Sequence, residues 1–196
     1  LDGSRFADSL VGNDEDNRFY GGKGNDTLNG NAGDDYLSGQ NGDDSIMAGA
    51  GRDRLLGGNG NDTLMGDAGN DILFGGKGDD SLTGTGTDTN GVGEIDRLMG
   101  GAGADTFILG DNITAFYDDG DAASNGTDDY ALISDFDANE GDLVQLFGGN
   151  DYYLEANPVG TNSGTGIYID DDGTPGMSSE DELVGLLEGT DLTAGA

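Results

Sequence analysis

Aspartate is the residue through which this chain could do chemistry. From Gly21 to Thr83 one recurs every nine residues: Asp26, Asp35, Asp44, Asp53, Asp62, Asp71 and Asp80. Asp105 follows in an intact copy over Gly100–Ile108, and Asp96 in a stretched one. Asp8 holds the same place upstream, in a copy that has lost its inner glycines. In frame the copies read GGKGNDTLN, GNAGDDYLS, GQNGDDSIM, AGAGRDRLL, GGNGNDTLM, GDAGNDILF and GGKGDDSLT, or G-G-x-G-x-D-x-U-x with U apolar. Glycines at positions 1, 2 and 4 permit positive φ and a tight turn that directs carbonyl oxygens inward. Such carbonyls come from Gly22, Gly24, Gly33, Gly42, Gly51, Gly58, Gly60, Gly69, Gly76, Gly78, Gly101 and Gly103. Carbonyls beside carboxylates make a hard oxygen cage, which suits Ca2+. A single D-x-L in a loop is as well explained as a solvated turn. An unbroken register of this length is not.

The spacing also dictates the elements that hold these groups. A short fixed period means stacked units, each too small to bury a core alone. Positions 6 to 9 are expected to form a short strand with alternating side chains. Position 8 then points inward: Leu28, Leu37, Ile46, Leu55, Leu64, Leu73, Leu82, Leu98 and Phe107. Two repeats make one coil of 18 residues, so loops of alternate repeats stack on one edge. One edge carries Asp26, Asp44, Asp62, Asp80 and Asp105; the other carries Asp35, Asp53, Asp71 and Asp96. An ion is expected between each pair of stacked loops, held by two aspartates and several carbonyls.

This pattern resembles the RTX (repeats-in-toxin) calcium-binding family, and the resemblance runs from residue 1 to about 111. It implies a right-handed parallel β-roll. Two copies depart from the pattern. Gly12–Tyr20 has Asn17 in place of the aspartate, so no full site is expected there, with Asp14, Glu15 and Asp16 as substitute ligands at best. After Gly84 the register slips by seven residues before Asp96 and Leu98 resume it, which reads as a loop inserted near Thr85 to Glu94. Leu1-Asp2 fits positions 8 and 9 of a preceding copy, so further chain upstream is expected.

Composition agrees with a metal-dependent chain. Forty acidic residues face seven basic ones, for a formal charge of −33, with 40 glycines. So acidic a chain should not collapse unaided. About nine divalent ions would cancel about 18 of those charges. Folding is therefore expected to be coupled to metal binding. The same acidity argues against nucleic acid and anionic membranes as partners. The absence of histidine and cysteine excludes His-dependent triads, thiol nucleophiles, disulfides and zinc hydrolase sites. Nor is there a membrane-length apolar run, a signal-peptide pattern at residue 1 or a P-loop.

From Leu109 onward the texture changes. Tyr130–Phe147 resembles the block that follows the array in serralysin-type and related secreted proteins, through Ile133, Asp135, Phe136, Asp142, Val144 and Leu146. Alternation predicts strands over 130–136 and 142–147 around an Asp137–Gly141 turn, and further strands over 152–156 and 165–169. Ser179 with Glu182 reads as a capping box for a short helix over about 180–188, with Leu183, Leu186 and Leu187 on one face. The expected role is a cap over the open end of the roll, the alternative a tethered separate β domain. Asp118, Asp119, Asp121, Asp128, Asp129, Asp135, Asp137 and Asp142 are either further calcium ligands or a charged loop. Position 9 should face outward. It reads Leu56, Phe74 and Met99 on one face, Met47, Met65 and Ile108 on the other, and one of these rows is expected to be covered by the tail.

The sequence thus predicts an all-β protein, with a parallel β-roll over 1–111 and a β-rich cap with one short helix over 112–196. Its expected function is that of a calcium-binding module, taking on the order of eight or more ions, within a larger protein. The resemblance implies type I secretion, folding on calcium outside the cell, and a secreted or cell-surface location. The upstream chain and the secretion machinery would be its protein partners. The alternative is a calcium-stabilised adhesion, surface-layer or glycan-binding module. No catalytic residue is expected in this stretch.

Overall fold

The computed structural model describes residues 1–86, 93–109, 130–146, 152–159, 162–169 and 182–188. Among them every regular element is a strand. The array supplies β1 (Ser9–Val11), β2 (Arg18–Lys23), β3 (Thr27–Ala32), β4 (Tyr36–Asn41), β5 (Ser45–Ala50), β6 (Arg54–Asn59), β7 (Thr63–Ala68), β8 (Ile72–Lys77), β9 (Ser81–Thr85), β10 (Ile95–Ala102) and β11 (Thr106–Ile108). The tail supplies β12 (Tyr130–Ile133), β13 (Leu143–Gln145), β14 (Tyr152–Val159), β15 (Asn162–Ile169) and β16 (Glu182–Glu188).

Strands alternate between two sheets, as an 18-residue coil requires. The first runs β1-β3-β5-β7-β9-β11-β13, and the second runs β14-β15-β16-β12-β10-β8-β6-β4-β2. All array pairings are parallel. Each full array strand is longer than expected. Except in β10, which begins two residues earlier, it begins at position 7 and continues through positions 1 to 3 of the next repeat, so the turn is confined to positions 4 to 6.

Registration puts the position-8 side chains in two inward columns. Leu10, Leu28, Ile46, Leu64, Leu82 and Phe107 stack in the first sheet and continue into Val144. Phe19, Leu37, Leu55, Leu73 and Leu98 stack in the second and continue into Ile133 and Leu187. From Leu28 to Phe107 none is more than 1% exposed. Each contributes roughly 1.5–3 kcal/mol of hydrophobic stabilisation.

The tail corrects two expectations. Residues 182–188 form a strand, not a helix: β16 lies parallel to β12 and antiparallel to β15. Sheet pairing overrides the local signal because β12 would otherwise leave an open edge. Leu186 and Leu187 are both buried, which a strand sandwiched in a core allows; Ser179, the expected cap, lies outside the described residues. The described tail strands also extend the two sheets, and none of them lies over a position-9 row. Among the described residues Met47 and Phe74 stay 43% and 39% exposed. The other tail strands fall where alternation placed them, with shifted ends. β12 and β13 are shorter, whereas β14 and β15 form a longer antiparallel pair. Asp118, Asp119, Asp121, Asp128 and Asp129 lie outside the described residues.

Candidate calcium ladder

The loop aspartates form two hydrogen-bonded ladders. On one edge the N–H of Asp8 donates to Asp26 Oδ1 at 2.8 Å, Asp26 to Asp44 at 2.7 Å, and Asp44 to Asp62 at 2.8 Å. Asp62 then donates to Asp80 at 2.8 Å and Asp80 to Asp105 at 2.9 Å. On the other edge Asn17 donates to Asp35, Asp35 to Asp53, Asp53 to Asp71 and Asp71 to Asp96, at 2.6 to 2.8 Å. The seven-residue insertion leaves this ladder intact. It lengthens the step from Asp71 to Asp96 to 25 residues, and the bond still forms. From Asp26 to Asp105 every ladder aspartate is at most 3% exposed.

One oxygen of each carboxylate is thereby used. The other is left open: Oδ2 of Asp26, Asp35, Asp44, Asp53, Asp62, Asp71, Asp80 and Asp105 is buried without a hydrogen-bond partner. A buried carboxylate oxygen without a donor is costly, and a cation is the natural remedy. The ends of the ladder differ. Asp8 is only half-buried and its Oδ2 accepts from the Ser4 N–H at 2.5 Å. Asn17 receives the Asn13 N–H and bonds back to Asn13 and the Glu15 carbonyl. Asp16 is committed to the Asp34 N–H. The degenerate first copies therefore offer no open buried oxygen, and Asp8 is a weaker ligand candidate than its register implies.

The open oxygens face a space kept free by glycine. A Cβ added to Gly21, Gly30, Gly57, Gly66 or Gly75 would collide with Oδ2 of its own repeat's aspartate and with the position-1 carbonyl of the stacked loop above. At Gly57 these are Asp62 Oδ2 and the Gly75 carbonyl. All the glycines expected to supply carbonyls, Gly22 through Gly103, have positive φ. The Gly24, Gly42 and Gly60 carbonyls stand where a Cβ on Gly42, Gly60 and Gly78 would have to go. No three acidic side chains converge among the described residues. The cradle is one carboxylate oxygen with stacked carbonyls, an all-oxygen donor set that fits Ca2+.

Electrostatics reports the same tension. Burial, chiefly, together with neighbouring carboxylates raises Asp44, Asp53, Asp80 and Asp105 to about 6, Asp62 to about 7 and Asp71 to about 8. Asp71 has Asp96, Asp53 and Glu94 around it.

A second ladder escaped the sequence reading because it uses position 5, variable in the repeat. Its Asn and Asp side chains accept from the position-5 N–H of the loop above. Asn25 serves Asp43, Asp43 serves Asn61, Asn61 serves Asp79 and Asp79 serves Ala104, at 2.9 to 3.0 Å. Asp34 similarly serves Arg52, and Asn70 serves Ile95. The recurrence of Asn or Asp before the ligand aspartate was the available signal. Glu94 was missed as well: its Oε1 accepts from the Gly69 N–H at 2.8 Å. Elsewhere, as at Gly51 and Gly60, that N–H is taken by a stacked backbone carbonyl.

A parallel roll with paired aspartate ladders and glycine-gated oxygen cradles defines a class of calcium-binding repeat protein. The family model described as RTX calcium-binding nonapeptide repeat (4 copies) matches residues 2–37, 20–55, 38–73, 56–89 and 90–112, and the chain belongs to that family. No curated protein matches the chain. Among solved structures it is similar to the solution structure of the AlgE6R3 subunit from the Azotobacter vinelandii mannuronan C5-epimerase. The identity is 19% and the TM-score 0.25, over 96% of this chain and 72% of that one.

Proposed function

We propose that the chain is a calcium-triggered folding module of a larger secreted protein. It passes out of the cell unfolded through a type I secretion machinery and folds in the calcium outside. Residues 112–196 act as the cap of the 1–111 array, and this stretch has no catalytic role. The observation that carries the reading is the row of eight buried, unpartnered Asp Oδ2 atoms. Without metal each disfavours the fold; with metal each becomes a ligand, so binding energy becomes folding energy.

Circular dichroism of the chelated chain should show coil, and millimolar calcium should produce a strand spectrum. Magnesium should substitute poorly, because it demands octahedral geometry and keeps its waters. A chelated chain with an unchanged β spectrum would sink the proposal.

A further inference from the structure

The two sheets present different outer faces. The array strands of the first sheet, β1 to β11 odd, contain no Lys or Arg, and positions 7 and 9 from Thr27 onward show mainly hydroxyls and Met. The second sheet, in β2, β4, β6, β8 and β10, carries Arg18, Lys23, Arg54, Lys77 and Arg97, five of the chain's seven cations. Its position-7 row reads Arg18, Tyr36, Arg54, Ile72, Arg97 in register. The position-9 row beside it reads Tyr20, Ser38, Leu56, Phe74, Met99. Neither row contains an acid, in a chain with 40 of them. The Arg18 guanidinium lies 4.6 Å from the Tyr36 ring centre, and the Tyr20 and Tyr36 rings are 5.8 Å apart. Arg97 is held by Glu188 at 2.9 Å, so Arg18 and Arg54 are the position-7 cations presented outward, with Lys23 and Lys77 exposed at position 3 of the same sheet.

We propose that this face binds a linear acidic polysaccharide. Parallel strands stand about 4.8 Å apart, so Arg18 and Arg54, two rungs apart, are separated by about 10 Å. That spacing approximates two pyranose units of an extended chain. Each guanidinium can take a uronate carboxylate in a bidentate pair. The Tyr36 ring between them, with Tyr20 beside it, offers a flat apolar surface for the C–H face of the intervening sugar. Charge complementarity selects an anionic occupant at this face alone. A rigid duplex or a membrane would also meet the acidic loop edges, which a single narrow chain lying along the rows avoids.

The test uses the calcium-loaded full chain and short oligogalacturonates, with uncharged cello-oligosaccharides of equal length and poly-L-glutamate as comparisons, by calorimetry at fixed free calcium. Oligogalacturonate should bind and the other two should not. Arg54→Ala should weaken binding at least tenfold, and Arg54→Ala with Tyr36→Ala should abolish it. Thr63→Ala, on the opposite sheet, should leave it unchanged. Circular dichroism in calcium reports whether each variant keeps the roll; if the double variant does not, Arg54→Gln decides, again with a tenfold loss expected. Absent binding, equal binding by the Arg54 variants, or equal binding of either comparison polymer overturns the proposal.

Discussion

The backbone N–H of Asp105 donates to Oδ1 of Asp142 at 2.9 Å, so a residue beyond the nonapeptide array is the last member of its aspartate ladder. The bond repeats the one between Asp80 and Asp105 across a loop, Ser134–Asp142, that has none of the inner repeat glycines. Asp142 also differs from the members below it. Its Oδ2 is taken by the Asp137 N–H at 2.8 Å. In the same loop the Asp135 carboxylate accepts from the N–H groups of Gly100 and Gly101. These two tail carboxylates satisfy themselves on backbone donors, while those of the array await a cation.

That contrast makes Asp142 a test of the cap. Asp142→Ala strips the acceptor from the Asp105 and Asp137 N–H groups, at about 1–3 kcal/mol for a buried donor left unpaired. The calcium midpoint for folding should rise about tenfold, equivalent to about 1.4 kcal/mol. Asp43→Ala, on the exposed position-5 ladder, should move it much less. Equal midpoints for Asp142→Ala and the parent in a dichroism titration would show that the roll folds without its last rung.

Position along the ladder should also matter. Asp62 gives Oδ1 to the Asp44 N–H and holds Oδ2 open in a buried cradle. Asp8 is only half-buried, and its Oδ2 is taken by the Ser4 N–H. Asp62→Ala should therefore lower calcium affinity and flatten the cooperativity of the transition, while Asp8→Ala should change either little. Calorimetric titration separates the two; identical isotherms would argue against the ladder as the metal site.

Most of the array was legible in the sequence because period, glycine and aspartate all point the same way. The position-8 columns and the division of aspartates between two edges follow from an 18-residue coil. What was not legible depends on bonds and pairings outside the repeat pattern. The use of Asp8 Oδ2 by Ser4, and of Glu94 by Gly69, turns on local bonds that no period encodes. The strand at Glu182–Glu188 was masked by a plausible capping box. Its conformation is set by β12 and β15 on either side, a long-range effect absent from its own residues.

Acidity should shift the balance of the calcium-free chain. Asp44, Asp53, Asp62, Asp71, Asp80 and Asp105 sit at about 6 to 8 in the fold, against 3.8 when unperturbed. The folded state therefore binds more protons than the unfolded one across that interval, and its stability falls as pH rises. The contribution is fully present below about pH 4 and is lost as pH climbs through 6 to 8. The chelated chain should gain strand signal on acidification to pH 4 to 5. With calcium the trend reverses, because metal displaces protons: the midpoint should fall between pH 6 and pH 8. Calorimetry in buffers of different ionisation heat should detect the released protons. A midpoint independent of pH would contradict proton-occupied cradles.

The last prediction concerns the glycine that keeps each cradle open. A Cβ on Gly57 would sit against Asp62 Oδ2, and 2.6 Å from the Gly75 carbonyl. The array contains one natural counterpart, Ala48, at position 1 of the Asp53 repeat. Its methyl is fully buried, and Asp53 Oδ2 is still buried without a partner. The roll thus tolerates a methyl at this position, and the expected cost falls on calcium affinity. Gly57→Ala should fold at saturating calcium yet need about tenfold more to do so, near 1.4 kcal/mol. Ala48→Gly should move the other way and tighten the Asp53 step. Dichroism and calorimetric titrations of both variants check the pair. Should neither differ from the parent, the ions do not lie beside the position-1 glycines, and the open aspartate oxygens must meet their cations elsewhere in the loop.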